Sequence, residues 1–227
     1  INSGSYTLNS SKSLSEDLIL SSGTALTVPS TMNITVGDDL INNGGTVTIQ
    51  NNANLIQNGT TNDNVGDVTV FRNSASLFRL DYTLWSSPVG GQNLLAFSPL
   101  TMANRFYTYN PSTNQYNAIT PSSNNFVTGV GYLIRMPDNH PTTPTVWNGE
   151  FNGVPNNGDV PISVTNNTYN AVGNPYPSTI DADDFINTNS LSEAIYFWRK
   201  TNNVATSSYA TYTLAGGVGT DSNSGDP

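Results

Sequence analysis

The side chains able to do chemistry are few and scattered. Sixteen Asp and Glu stand against seven Lys and Arg and a single His, with no Cys. A cysteine-free chain has no thiolate nucleophile, no disulfide and no Cys-ligated metal. One histidine excludes zinc sites built on several His, and a Ser-His-Asp triad would depend on His140 alone. His140 stands in Pro137-Asp138-Asn139-His140-Pro141, a loop by composition, and no G-x-S-x-G elbow occurs. It reads as a surface histidine. Paired carboxylates could cleave a glycoside. Glu16, Glu150 and Glu193 are the glutamates, and Asp81, Asp138, Asp159 and Asp181 are candidate partners, but no spacing selects a pair. The chain reads as non-catalytic.

Two binding chemistries remain. Calcium takes hard oxygen ligands from loops. Asp181, Asp183 and Asp184 form one acidic group, and Asp221, Asn223 and Asp226 form another, in D-S-N-S-G-D-P. The second alternates its oxygens but lacks a bidentate Glu. The competing readings are carboxylates on a helix N-terminus for the first and a disordered linker for the second. Neutral sugars want an aromatic platform flanked by amides and an acid. Trp147, Asn148 and Glu150 offer that combination in one stretch, with Tyr176 as a further contact. Trp85 and Trp198 lie within apolar strands and read as core.

Composition narrows the setting. The formal charge is -9 and no basic cluster exists to meet phosphates, so nucleic acid is not a partner. Solubility is carried by 33 Asn, 28 Thr and 25 Ser rather than by charge. Such residues favour turns and strands over helix interiors, the profile of an extracellular β-protein. No apolar run is long enough to span a membrane. The opening INSGSYTLNSS has no basic or apolar leader pattern, as expected once a signal peptide is gone. The closing GTDSNSGDP reads as a linker, so the chain reads as part of something longer.

The elements that must position these residues fall into two textures. Over residues 18–60, apolar pairs separated by one polar residue recur: Leu26/Val28, Ile34/Val36, Val47/Ile49, then Leu55. An offset of 21 lays Gly23 on Gly44, Leu26 on Val47, Val28 on Ile49, Asn33 on Asn54 and Ile34 on Leu55. Strands this short bury a face only by stacking, which predicts a β-solenoid of two clear coils with a degenerate one over residues 5–20. A hairpin meander is the alternative. From residue 66 the aromatics concentrate. Short strands are predicted at 67–72, 77–84, 105–109, 115–119, 130–136, 144–148, 158–164, 168–173, 194–199 and 208–214. Helix is predicted at 178–187, capped by Ser178 or Thr179, with one turn at 99–104. The resulting fold class is all-β: short β-solenoid-like coils over 1–65, a β-sandwich or jelly-roll-like domain over 66–216 with one or two short helices, and a tail over 217–227.

Residues 172–185 read V-G-N-P-Y-P-S-T-I-D-A-D-D-F. This closely resembles a segment recurrent in large secreted and surface proteins of the Bacteroidetes, especially flavobacteria. Around it, Gly129-Val130-Gly131-Tyr132, Phe151-Asn152-Gly153, Ile195-Tyr196-Phe197-Trp198 and Leu84-Trp85-Ser86-Ser87-Pro88 extend the resemblance over roughly residues 80–215. The family implies export by the type IX system through a separate C-terminal sorting domain, attachment to the outer surface of a Gram-negative cell, and an adhesive or structural role beside neighbouring domains of the same polypeptide. An extracellular glycan is the partner suggested instead by the aromatic platform around Trp147. The family supplies no catalytic set. Physically, the two prolines of GNPYPS fix a stiff corner with Tyr176 beneath it, with room for a cis bond at either proline and for a ligand contact as the lesser use.

Overall fold

Alternation with period two builds the first half. In the computed structural model, which describes residues 1–189, 194–199 and 209–218, eight short strands wind three to a coil. They are β1 (Ser5–Thr7), β2 (Lys12–Ser13), β3 (Leu18–Ser21), β4 (Ala25–Val28), β5 (Asn33–Val36), β6 (Leu40–Asn43), β7 (Thr46–Ile49) and β8 (Asn54–Gln57). All stack in parallel. β4 lies on β7 with Leu26 opposite Val47, and β5 on β8 with Ile34 opposite Leu55, which is the register of the 21-residue offset. The degenerate coil is also real: β1 pairs with β4, β2 with β5 and β3 with β6. Parallel pairing excludes the hairpin meander, because hairpin partners run antiparallel. Inward residues Leu20, Leu26, Val28, Ile34, Val36, Leu40, Val47, Ile49 and Leu55 are buried, each contributing about 1.5–3 kcal/mol on leaving water.

The stack passes directly into the second half. β9 (Val68–Leu77) adds to β7 in parallel, again at an offset of 21, with Thr48 opposite Thr69 and Ile49 opposite Val70. It then pairs antiparallel with β15 (Thr145–Pro155), which pairs with β11 (Val89–Gly90). One solenoid face therefore continues as a six-stranded sheet ordered β1-β4-β7-β9-β15-β11. Against it packs a four-stranded sheet ordered β10-β14-β12-β13, made of β10 (Tyr82–Trp85), β12 (Phe106–Asn110), β13 (Gln115–Ala118) and β14 (Tyr132–Arg135). Trp85, Phe97, Phe126, Tyr132 and Phe151 fill the space between and join the solenoid core in one apolar cluster. A third sheet follows: β16 (Ile195–Trp198), β17 (Tyr209–Thr213) and β18 (Gly216–Val218).

Three local expectations are corrected. The segments at 158–164 and 168–173 form no strand beyond a bridge between Val130 and Val172. Asn170 closes residues 165–170 on themselves, accepting from the Thr165 N–H at 2.9 Å and donating to the Thr165 carbonyl at 3.0 Å, and side chains that bond locally compete with a ladder. The single helical turn falls earlier than predicted, at α1 (Leu94–Phe97), because Asn93 caps the Leu95 and Ala96 N–H groups while Leu94 and Phe97 are buried; a 3₁₀ turn sits at Ala103–Arg105. The second helix, α2 (Ala182–Thr188), is capped by Asp181 rather than Ser178 or Thr179. Thr179 is held elsewhere, its N–H donating to Asn54 Oδ1 at 3.0 Å.

Candidate functional site

The solenoid's far end is closed on all three faces, and the GNPYPS corner closes one of them. β9 covers the first face. On the second, beyond β8, Leu55 N–H donates to the Pro177 carbonyl at 2.9 Å beside the Thr179 bond to Asn54. On the third, Asn42 N–H donates to the Val65 carbonyl at 2.7 Å and Leu40 N–H to Asn64 Oδ1 at 2.7 Å. Pro175 and Pro177 are buried, and no peptide bond among the described residues is cis. The stiff corner forms with both proline bonds trans. Tyr176 lies half-buried beneath it and donates its hydroxyl to the Gly158 carbonyl at 2.6 Å.

Tyr176 also borders a shallow cleft of about 250 Å³ between the solenoid end and residues 156–159, shared with Gln57, Asn157 and Asp159. The amides are occupied by the fold itself. Gln57 Nε2 donates to the Asp38 carbonyl and to Asn64 Oδ1, and Asn157 Nδ2 donates to the Thr61 carbonyl at 3.0 Å. Burial raises the Tyr176 pKa, with the Asp159 charge adding to the effect.

The four expected ligand contacts do not converge. Successive side chains of a strand point to opposite faces. On β15, Trp147 therefore turns inward, edge-on to Trp85 at 5.4 Å and to Phe97 at 5.2 Å. Asn148 and Glu150 are exposed on the other face, where Glu150 accepts from Asn152 Nδ2 at 3.0 Å. Trp147 is half-buried core. Trp85 is core as expected, and Trp198 is half-buried with its ring N–H on the Tyr82 carbonyl. Exposed aromatics lie instead around the third sheet, where Tyr169 and Tyr196 meet edge-on at 5.6 Å and Phe197 is half exposed.

The acidic groups divide similarly. Asp181 Oδ1 accepts from the Asp183 and Asp184 N–H groups at 2.9 and 3.0 Å, and Asp183 accepts from the Tyr212 hydroxyl. These three serve the start of α2. Asp221, Asn223 and Asp226, like Glu193, lie outside the described residues. The group the sequence reading missed is Asp17, Asp38 and Asp39, whose carboxylates approach within 4.8 Å of one another. Its signal was the repeat: Asp17 precedes Asp39 by one coil. Asp17 Oδ1 accepts from the Asp39 N–H at 3.1 Å, and Asp39 Oδ1 from the Asp63 N–H at 3.2 Å, so the acids form a corner ladder up the stack. Burial is the main cause raising the Asp39 pKa, and the charges of Asp38, Asp63 and Asp17 act the same way.

His140 occupies a loop, as expected, but is buried rather than at the surface. Its Nε2 lies 2.9 Å from the Leu77 carbonyl and 3.1 Å from the Thr145 carbonyl. Carbonyls only accept, so Nε2 carries the proton and pins the loop to the β9 and β15 ends. Asp138 pairs with Arg135, and Asp81 accepts from the Phe78 N–H at 2.9 Å.

Fold and geometry define an all-β protein in which a three-sided solenoid of about three turns is capped by its own sandwich. The chain belongs to the family described as Domain of unknown function (DUF8693), which matches residues 2–223. No curated protein and no solved structure matches it.

Proposed function

We propose that this chain is a non-catalytic structural or adhesive module of an exported bacterial surface protein, of the kind the 172–185 segment resembles. One observation carries the reading: that segment, the most distinctive in the sequence, is spent on closing the solenoid through the Pro177 carbonyl and the Thr179 N–H. The Asn/Thr/Ser-rich, acidic composition supports an extracellular setting, and no helix among the described residues is long and apolar enough to cross a membrane. Neighbouring domains of the same polypeptide are its partners.

A second reading, a carbohydrate-binding module, is favoured by the exposed Tyr169, Tyr196 and Phe197. Rings of this kind stack on sugar faces. A glycan array probed with the purified chain, once with calcium and once with chelator, separates the two. The structural reading expects no defined glycan in either condition. Reproducible binding to one glycan would replace it with the second reading, and loss of that binding in chelator would add calcium as its cofactor.

A further inference from the structure

The two ends of the solenoid are unequal. The far end is sealed by β9, by Asn64 and Val65, and by residues 177–179. At the near end β1 and β2 are edge strands whose residues are all exposed. Their register shows which side chains face the interior of the stack. Tyr6 stands opposite Leu26, yet Tyr6 is 50% exposed and Leu26 2%. Leu14 donates its N–H to the Thr35 carbonyl, which sets it opposite the buried Val36 while remaining 36% exposed itself. Leu8, bonded through its N–H to the Thr27 carbonyl, matches Val28.

Ile1 already forms one rung above this coil. Its amino group donates to the Ile19 carbonyl, and the Ser21 N–H donates to the Ile1 carbonyl at 2.9 Å. That is the pattern of a parallel bridge over Leu20. The backbone at Ile1 thus runs in the direction of every other coil. One position breaks the apolar pattern: Lys12 stands where Ile34 and Leu55 stand in the next two coils, both buried. A coil laid above would bury its ammonium, which is costly without an opposite charge.

We propose that this end is a docking surface for one further parallel coil joined at Ile1, bearing aliphatic residues over Tyr6, Leu8 and Leu14 and a carboxylate over Lys12. The occupant follows from continuity with the coil-on-coil interface already repeated through the stack. A second copy meeting this end about a two-fold axis through β2 would bring Lys12 toward its counterpart, like charge on like.

The proposal rests on the structural reading of the chain, and its test is separate from the glycan array. A copy of residues 23–41 carrying Ile34→Glu is fused ahead of Ile1 in the full chain. Two controls carry Ile34→Lys or a shuffled copy. Amide exchange at Ser5 and Thr7 and the melting temperature are the readouts. The expected result is exchange slowed at least about tenfold, with a higher Tm, in the glutamate fusion alone. Unchanged exchange in that fusion, or equal protection by the shuffled copy, overturns the proposal. So does concentration-dependent self-association of the unfused chain in sedimentation velocity, which would assign the end to a second copy. A glycan hit would change the functional reading and leave these melts as they are.

Discussion

Asn54 stands directly on Asn33, its Nδ2 donating to the Asn33 Oδ1 at 2.8 Å across 21 residues of chain. Below, the Asn33 N–H donates to Ser11 Oγ at 2.9 Å; above, Asn54 Oδ1 receives the Thr179 N–H. One polar ladder thus runs from the first coil through the stack to the segment that seals it. Asn54 links both neighbours because its side-chain amide carries a donor and an acceptor, while Asn33 passes the bond on through its backbone N–H.

Asn54→Ala removes both of these side-chain bonds and leaves the Thr179 N–H without its acceptor, for an expected loss of about 1–3 kcal/mol. Asn33→Ala should cost less, since the Thr179 bond survives. Chemical denaturation of the two variants checks the order. Equal losses would mean that the ladder stabilises coil against coil but does not hold the closing segment.

Gly173, in the same segment, lies against Ser86. A Cβ at this position would stand 2.3 Å from Ser86 Cβ and 2.6 Å from its Oγ. Gly173→Ala should therefore destabilise by about 1–3 kcal/mol through overpacking, and Ser86→Gly in the same chain should restore most of that. A melt of the double variant no better than the single one would contradict the contact.

The solenoid was legible because a stacking fold writes its register into the sequence. The offset that laid Leu26 on Val47 is the register of the sheet, and it continues unannounced to Val70. The sites were less legible for the same geometric reasons. Trp147, Asn148 and Glu150 are neighbours in sequence, and strand alternation parts them. Asp17 and Asp39 are distant in sequence, and one turn of the coil joins them. The helix start moved to Asp181 because Thr179 is bonded to a residue more than a hundred positions away, beyond the reach of any local rule.

Phe151 is the aromatic against which the two sheets close. It is fully buried, stacks on Phe97 with ring centres 4.4 Å apart, and meets Phe126 and Trp85 at 5.7 and 6.2 Å. Phe151→Ala should cost about 3–5 kcal/mol. Near-ultraviolet circular dichroism should lose intensity as Trp85 and Trp147 gain freedom. Because the core is continuous from β4 to β14, solenoid and sandwich should melt in one transition in both proteins. Two separated transitions in calorimetry would show that the halves unfold independently.

Asp39 makes the fold pH-sensitive, and the sign follows from its pKa. Burial and neighbouring carboxylates raise it above the ordinary value of 3.8, so the folded state prefers the protonated acid. Such a group favours folding fully below its unfolded pKa and progressively less as pH rises through the folded one. Asp39→Asn keeps an oxygen for the Asp63 N–H and removes the charge. Its Tm should exceed the parent's near pH 7, and the gap should close as the pH falls toward 3.8. Parallel melts across that range are the check, and a constant gap would assign the gain to something other than titration. The Asp39 and Asp63 N–H groups already satisfy part of the acid ladder. Chelator should accordingly leave the parent's Tm unchanged. A calcium-specific rise that Asp39→Asn abolishes would show instead that the ladder holds a cation.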